Sequence, residues 1–494
     1  VSIAFIIILV SIIFISAAIM LSAAFSASAQ QNLRSAYFLD GYTYGYRFNP
    51  AFQGERGFFA IPVLGKIGVG MESNLGLSTF LYPGSDGNLT TFLSPTVSDQ
   101  DFLSKIKPAN RFMLNADLQL FALGFRTGKM YHTLDVSMRS DVSMNLPGDL
   151  LTFMKIGSAH GQTAWDISNI GARMEMRTEI AYGISRCFGE NLNVGARFKV
   201  LMGAAKLDIG MKNMNLKMSE EEWAVNAKGA GMIAGPVTVS TLGETGSATE
   251  ATQTDVVDWS SLEFPDSAEE FMAYLKKPAL GFAVDLGASY TILDYITVSA
   301  SILDLGRMSW KNVTTLQTPE TAWSFNGFED VSMTGQGNGI SDQLEGIADE
   351  LLNSFNLQKE GFAEKKASGL ACTLHAGVEA KLPFYERLSL GVLATHRFDG
   401  AYSWTEGRFA LNWAPARWFA MTGNYAISDF GSSLGAAMNI HLPGITLFAG
   451  LDSFLPLSNV TPEYYIPIDN LNTNLTFGLN IAFGKYNGQF PKDE

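Results

Sequence analysis

The sequence is poor in cysteine, histidine and charge. Of its 494 residues only Cys187 and Cys372 are cysteines, and charged residues make up 17% of the chain. So few cysteines do not form the disulfide framework of a small secreted domain, and we expect both thiols to be unpaired. The five histidines show none of the close spacings, such as H-E-x-x-H, that bind a metal. We expect no metal and no cofactor.

The chain also lacks an excess of positive charge. Its 34 Lys and Arg residues are outnumbered by 48 Asp and Glu residues, which gives a formal net charge of −14. Because a phosphate backbone selects for basic surfaces, this balance excludes nucleic acid as a partner. The aromatic content of 12% and the 48 glycines instead favour a protein of many strands and tight turns.

Only one run of the sequence is apolar over the length of a membrane helix, and it lies at the beginning. Residues 1–25 are apolar or small, and Ala27-Ser28-Ala29 follows as a small-x-small site. This layout predicts a signal peptide, residues 1–29, that is cleaved after Ala29 and directs export to the bacterial outer membrane. No Lys or Arg precedes the run, and about 20 apolar residues can span a bilayer. A retained anchor is therefore the alternative.

Beyond residue 29 the clearest pattern is strict alternation of apolar and polar side chains. Successive side chains of a strand point to opposite sides, whereas a helix would distribute both sets around its circumference. One face of the predicted strand 170–186 carries Ala172, Met174, Met176, Thr178, Ile180, Tyr182 and Ile184. Its other face carries Arg173, Glu175, Arg177 and Glu179. Such segments follow one another along the whole chain.

We predict strands near 66–81, 111–126, 129–145, 170–186, 191–207, 279–291, 295–309, 368–381, 387–400, 402–414, 417–428, 432–441, 443–454 and 472–484. Short and long connections alternate between them, as periplasmic turns and outer loops do in membrane barrels. A closed barrel also removes the edges of the sheet. We predict an all-β fold, a transmembrane antiparallel β-barrel of about 14 strands, over residues 66–484. Both termini then lie in the periplasm, and residues 485–494 form a periplasmic tail.

Two long loops, 208–278 and 310–367, carry most of the net negative charge. The second contains a predicted helix over 341–355, with apolar residues at helical spacing. These loops are interpreted either as a lid or partner-docking element on the outer surface, or as solvated charge over a small local core.

Polar rows on the predicted strands are the candidates for lining the lumen. They are Asp117, Arg173, Glu175, Arg177, Glu179, Arg197 and Lys199. Charged residues in a wet lumen tune which solutes pass. The same rows can instead form cross-strand ion pairs that only stabilise the wall, and the sequence does not separate these two roles.

One catalytic pattern occurs, at Gly431-Ser432-Ser433-Leu434-Gly435. It matches G-x-S-x-G, which positions a nucleophilic serine only between a strand and a helix. Here it falls at a predicted turn between two strands. We expect no catalytic residues and no enzyme activity; a lipid hydrolase acting at Ser433 is the remote alternative.

The segment before the first predicted strand contains Asn49-Pro50-Ala51, and Asp-Leu-Gly occurs at residues 285–287 and 304–306. In these features the chain resembles the long-chain fatty-acid transporter superfamily of outer-membrane barrels, in particular its uncharacterised members and the barrels associated with type IX secretion. The resemblance implies that residues 30–65 form an N-terminal plug, in which Asn49, Pro50 and Ala51 are plug residues.

These observations predict a gated channel or transporter for a small solute, which can be hydrophobic. The expected partners are outer-membrane lipid, such a small molecule, and a protein at the outer loops. The alternative function is a structural or secretion-associated barrel whose outer loops dock a partner protein.

Overall fold

The computed structural model describes residues 33–84, 89–157, 161–219, 222–247, 254–263, 278–293, 295–319, 323–325, 356–453, 457–461, 464–467 and 472–485. The predicted signal peptide and the predicted helix at 341–355 lie outside these residues. No helix in the described part of the chain is long and apolar enough to cross a membrane.

The described strands are β1 (Gly57–Ala60), β2 (Ile67–Ser73), β3 (Leu81–Pro83), β4 (Leu89–Thr91), β5 (Ala109–Thr127), β6 (Met130–Pro147), β7 (Ala164–Asp166), β8 (Ile170–Phe188), β9 (Leu192–Met218), β10 (Trp223–Ala234), β11 (Thr238–Thr241), β12 (Val257–Glu263), β13 (Ala279–Ile292), β14 (Ile296–Gln317), β15 (Trp323–Phe325), β16 (Gln358–Gly369), β17 (Cys372–Leu382), β18 (Tyr385–Phe398), β19 (Trp404–Ala416), β20 (Phe419–Ser428), β21 (Gly431–Leu442), β22 (Ile445–Leu451), β23 (Leu457–Thr461), β24 (Tyr464–Pro467) and β25 (Thr473–Phe483). The helices are α1 (Leu77–Phe80), α2 (Asp99–Leu103), α3 (Gly148–Ile156) and α4 (Leu242–Thr245). Single 3₁₀ turns lie at Arg34–Ala36, Gly45–Arg47 and Gly400–Tyr402.

Antiparallel pairing closes the sheet into a barrel. The order around the wall is β5, β6, β8, β9, β13, β14, β17, β18, β19, β20, β21, β22 and β25. The first two strands, β1 and β2, share the remaining position, and both pair with β25 on one side and β5 on the other. The wall thus has 14 strand positions, which confirms the predicted barrel and its strand number.

The exterior of the barrel carries an apolar band. Outward side chains that are large, apolar and exposed occur around the wall, among them Phe198, Phe282, Leu374, Phe409, Leu434 and Phe477. Their inward neighbours are polar or small, as the alternation predicted. A barrel with an apolar exterior and a polar interior is suited to lipid outside and a hydrated or protein-filled lumen inside.

The two ends of the barrel differ. At one end, here called the short-turn end, tight turns join β5 to β6, β8 to β9, and β21 to β22, with glycines of positive φ such as Gly128, Gly189 and Gly444. At the other, the long-loop end, β9 and β14 extend past the apolar band and pair with β10 between them. On its other side β14 continues into pairing with β16.

The regions 208–278 and 310–367, predicted as loops, therefore contain strands that lengthen the wall. The small sheet of β11 and β12 packs against the outward face of this extension. Its apolar contacts bury the side chains of Met174, Leu207, Ile209, Val237 and Val257. This packing provides the small local core that one interpretation of these loops expected.

Helix α4 is fixed within that covering by a capping box. The side chain of Thr241 accepts a hydrogen bond from the Glu244 backbone N–H, and the Glu244 carboxylate accepts one from the Thr241 N–H at 2.8 Å. Lys359, on β16, lies 3.2 Å from the same carboxylate. The backbone hydrogen bond and the ammonium group hold the pKa of Glu244 below its ordinary value.

Candidate functional site in the barrel lumen

Residues 33–56, here called the lumen segment, lie inside the barrel. Their side chains form a cluster with small and aromatic residues of the wall, in which Leu33, Tyr44 and Phe48 are almost fully buried. Tyr42 and Tyr44 place their rings 5.1 and 5.6 Å from that of Phe448, which lies on β22. The wall itself begins at Gly57, nearer the N-terminus than the first predicted strand.

The Asn49-Pro50 dipeptide of the lumen segment occupies a notch in the wall. Asn49 is fully buried, and its Nδ2 donates hydrogen bonds of 3.1 Å to the carbonyl oxygens of both Ala288 and Ala300. Its Oδ1 accepts one of 2.9 Å from the backbone N–H of Ala51. The notch exists because Gly195 of β9 and Gly287 of β13 are directly opposite each other.

Neither glycine has room for a side chain. A Cβ at Gly287 would lie 2.0 Å from Asn49 Oδ1, and a Cβ at Gly195 would lie 2.0 Å from the Pro50 carbonyl oxygen. The sequence gives no signal for this pair, because the pairing register that makes two inward glycines adjacent appears only in the fold.

At the long-loop end of the lumen segment, Arg34 forms ion pairs with two strands and a backbone hydrogen bond to a residue that follows a third. Its guanidinium contacts Glu72 of β2 and, at 3.1 Å, Glu406 of β19, while its backbone N–H donates to Asp452 at 3.0 Å. Arg408 of β19 bonds the same Glu406 at 2.9 Å. All these side chains are buried, so each charge depends on its partners.

A second set of ion pairs fixes the centre of the lumen segment. Arg47 lies 2.9 Å from Asp117, and Lys66 donates to the same carboxylate at 2.9 Å. Arg47 also donates to Gln119 at 3.0 Å. Asp117, predicted as a lumen residue, thus faces inward and binds two cations from the N-terminal part of the chain.

The other predicted lumen residues all lie on the inward face of β8 or β9 and pair with one another or with carboxylates of neighbouring strands. Arg177 is 2.8 Å from Glu175 and 3.0 Å from Glu179. Arg197 is 2.7 Å from Asp135 and 2.9 Å from Asp285. Further pairs join Lys199 to Asp285 and Asp304, Arg173 to Asp208 and Asp399, Glu175 to Lys206, Glu179 to Arg139, and Arg177 to Asp141.

Sequence reasoning did not single out several members of this network. Among the missed charged residues are Arg34, Arg47, Lys66, Glu72, Asp135, Arg139, Asp141, Lys206, Asp208, Asp285, Asp304, Asp399, Glu406, Arg408 and Asp452. Those on strands stand at alternating positions and could have been found by extending the inward rows. Arg34 and Arg47 lie outside any strand and left no periodic signal.

Near the long-loop end, Asp399 and Tyr402 extend the network beyond the strands. Burial raises the pKa of the Asp399 carboxyl above its ordinary value, an effect that Arg397 and Arg173 partly offset. Burial likewise raises the pKa of Tyr402, whose ring lies 4.8 Å from the Arg173 guanidinium. Arg173 therefore holds together β8, β9 and the turn after β18.

Between the charged residues and the lumen segment lies a cavity of about 50 Å³, lined by Arg34, Arg139, Asp304, His375, Arg397 and Trp404 among others. A space of this size holds a few water molecules at most. Around this cavity the described lumen is therefore occupied by side chains.

The wall beside the lumen segment is interrupted between β1 and β2. Ala60 is opposite Asn480 and Ile67 is opposite Phe477, so that residues 61–66 protrude as a bulge. Within it Val63, with φ +68°, and Leu64 are about half exposed. Backbone hydrogen bonds retain the bulge between its neighbours: Val63 N–H to Gln119 O and Gln119 N–H to Lys66 O on one side, and Leu479 N–H to Leu64 O on the other.

An apolar cavity of about 290 Å³ lies beside this bulge. Its lining residues are Leu64, Met438, Ile440, Leu447, Phe448, Ala449, Phe477, Gly478 and Leu479. Leu64, Met438 and Phe477 face the lipid side and are exposed, whereas Phe448 is buried against the lumen segment. The cavity therefore opens on the exterior band, and Phe448 is the lining residue that it shares with the aromatic cluster in the lumen.

The G-x-S-x-G pattern lies at the beginning of β21. Ser433 Oγ donates to the backbone carbonyl of Asp452 at 3.4 Å. His441, at the far end of the same strand, is hydrogen-bonded to Asn439 and Thr446. The serine and this histidine are thus kept apart by the strand itself. No group of His, Cys, Asp and Glu in the described residues could hold a metal ion.

The toluene transporter TodX of Pseudomonas putida is 8% identical, over 93% of this chain and 98% of that one, with a TM-score of 0.40. The toluene transporter TbuX of Ralstonia pickettii is 9% identical over 89% and 92%, with a TM-score of 0.40. A Pseudomonas aeruginosa FadL homologue is 11% identical over 88% and 91%, with a TM-score of 0.33. No curated protein matches the chain. The model of a family of unknown function, DUF5723, matches residues 50–452, and the chain belongs to this family.

Proposed function

We propose that the protein is an outer-membrane channel, closed in this structure, that carries a small hydrophobic solute. The lumen segment acts as the plug, and the short-turn end faces the periplasm. The observation that carries the proposal is the apolar cavity beside the bulge at 61–66, which adjoins the plug on one side and the lipid-facing surface on the other.

The sizes and polarities of the two spaces favour a hydrophobic solute. The lumen cavity of about 50 Å³ is lined by charges that are paired with one another. The side cavity of about 290 Å³ is lined by apolar residues, and a cavity of about 150 Å³ with such a lining already binds benzene. A solute that displaces the plug locally would therefore pass sideways to the lipid.

Uptake by cells tests this proposal. Bacteria without hydrocarbon channels of their own, expressing the protein in their outer membrane, should accumulate radiolabelled toluene faster than cells without it. The variant Leu447→Trp places a bulky ring in the side cavity and should reduce the initial rate several-fold. The matched control is Leu411→Trp, an exposed outward position on β19, which should leave the rate unchanged.

Two outcomes would contradict the proposal. Equal toluene uptake with and without the protein would refute transport of this solute class. Uptake that persists in Leu447→Trp would refute the lateral path.

A second experiment measures conductance. In planar bilayers the purified protein should show no steady ohmic conductance, since the lumen is filled. Deletion of residues 33–52 should produce a steady conductance.

A docking barrel is the second candidate, and one observation favours it. Along residues 358–369, β16 pairs with β14 on one side, and among the described residues its other edge meets one isolated bridge partner, Val256. An open strand edge is a template for an added strand. A stoichiometric partner co-purified in detergent, and lost with Ala367→Pro but not with Ala363→Pro, would support docking at this edge, because the N–H of Ala367 points away from β14.

A further inference from the structure

Basic side chains stand on the outward face of the wall at the margin of the apolar band, on β14 and β16. Met308 and Trp310 are fully buried on the inward face, so their alternating neighbours Arg307 and Lys311 point outward. Lys365 of β16 is directly opposite Lys311, and it is exposed, as is Arg307. The three residues, here called the basic clamp, belong to a chain of net charge −14.

The height of the basic clamp follows from the pairing register. Arg307 is directly opposite Phe282 of β13, which is 66% exposed, and Leu305, two positions below it, is also exposed. On its other side Arg307 is opposite Gly369, just above Cys372 at the beginning of β17. At about 3.3 Å per residue, Arg307 and Lys311 are about 13 Å apart along β14, in the zone where exposed apolar residues such as Leu280, opposite Ser309, meet charged ones. Lipid headgroups occupy this zone.

The charges of the clamp have no counter-charge in the described part of the chain. No ion pair forms between Arg307, Lys311 or Lys365 and a described carboxylate, although the wall pairs many of its other cations. Like charges directly opposite on one face of a sheet, with Cβ atoms about 5 Å apart, destabilise the pairing. An anion bound between Lys311 and Lys365 would remove this repulsion.

We propose that the basic clamp binds the phosphate groups of an anionic lipid in the outer leaflet. The clamp lies on the lipid-facing surface and not in the lumen, and the apolar residues Leu305 and Phe282 lie directly below it. The ligand that fits both features has a phosphorylated headgroup above and acyl chains below. The inference depends on the long-loop end facing outward, and it is independent of transport.

Native mass spectrometry of the full-length protein in detergent tests this inference with a diphosphorylated glycolipid of the lipid A type. We expect Arg307→Gln/Lys311→Gln/Lys365→Gln to weaken binding about 100-fold, which corresponds to about 1 kcal/mol for each charge. Arg307→Lys/Lys311→Arg/Lys365→Arg should bind as the wild type does. The matched control is Lys129→Gln/Arg186→Gln/Lys485→Gln, which removes three exposed charges at the short-turn end and should have no effect.

Three results would overturn the proposal. One is equal glycolipid binding by the wild type and the triple glutamine variant, and another is equal weakening by the control variant. The third is wild-type binding of the dephosphorylated glycolipid as tight as that of the phosphorylated one. Competition by inorganic phosphate at equal concentration would assign the clamp to free phosphate and not to a lipid. The electrophoretic shift on heating, which is characteristic of folded barrels, shows that each variant is folded. Toluene uptake tests the proposed channel separately from lipid binding.

Discussion

Adding a single methyl group at Gly287 should release the lumen segment from the wall. The new Cβ would lie 2.0 Å from Asn49 Oδ1, where ordinary contact begins at 3.4 Å. Asn49 must therefore retreat by more than about 1 Å, which breaks its hydrogen bonds to Ala288 and Ala300. Two lost hydrogen bonds and local overpacking cost about 2 to 3 kcal/mol. The equilibrium between docked and undocked segment then shifts about 30- to 150-fold.

Limited proteolysis measures this shift, because cleavage through a transiently open state follows its population. Trypsin should cut the Gly287→Ala variant at Arg47 about 30- to 150-fold faster than the wild type. Mass spectrometry of the fragments identifies the cleavage site. Gly423→Ala is the matched control: it is a wall glycine with no atom within 4 Å of its added Cβ. Equal protection of the two variants, with both barrels folded, would refute the docking role of the glycine notch.

Three further predictions test the network, the covering and the orientation. Arg197→Gln leaves Asp135 without its close cation, while Asp285 keeps Lys199 at 2.8 Å. The free energy of unfolding in urea should therefore fall by about 3 kcal/mol. An unchanged midpoint of the urea transition would contradict the pairing. The lowered pKa of Glu244 means that its carboxylate stabilises the capping box above the ordinary glutamate pKa, about 4.3, and that this stabilisation is lost as the pH falls further. Glu244→Gln should therefore show, at pH 7, the faster proteolysis of residues 237–263 that the wild type shows only in acid; identical digestion at both pH values would contradict it. The orientation can be tested on intact cells with single cysteines in a cysteine-free background. A bulky impermeant maleimide should label Lys212→Cys at the long-loop end and not Glu190→Cys at the short-turn end. The reverse labelling would mean that the short-turn end faces outward.

The wall of the barrel was predictable because it obeys a local rule. Alternation of polar and apolar residues is visible within a single strand such as 170–186, and strand β8 spans Ile170–Phe188. The lengths of the turns then gave the number of strands. Each of these signals comes from residues that are close in sequence.

The extension at the long-loop end escaped prediction because its strands follow that rule poorly. Residues 358–369 form β16, yet nearly all of them are at least partly exposed, and charges stand at both even and odd positions, as at Lys365 and Lys366. A strand that is paired on one side and wet on both faces needs no apolar row. It is therefore indistinguishable in sequence from a charged loop.

The site was only half predictable, for a different reason. The inward rows that include Asp117, Arg177 and Arg197 follow from alternation, but their partners depend on register. Asp117 pairs with Arg47, which lies on the lumen segment, and with Lys66, the last residue of the wall bulge. The contact between a wall and a segment folded inside it leaves no periodic trace in the chain.

These partners change how the inward charges are interpreted. The sequence left open whether the rows tune the passage of solutes or only stabilise the wall. Arg34 and Arg47 approach them from within the lumen, and each pairs with carboxylates that the wall provides. In the channel that we propose, a row whose charges are already compensated by the lumen segment cannot select a solute until that segment moves. On this proposal the charge network acts first on whether the lumen opens, and the apolar cavity beside Leu64 is the path for a solute that needs no charge.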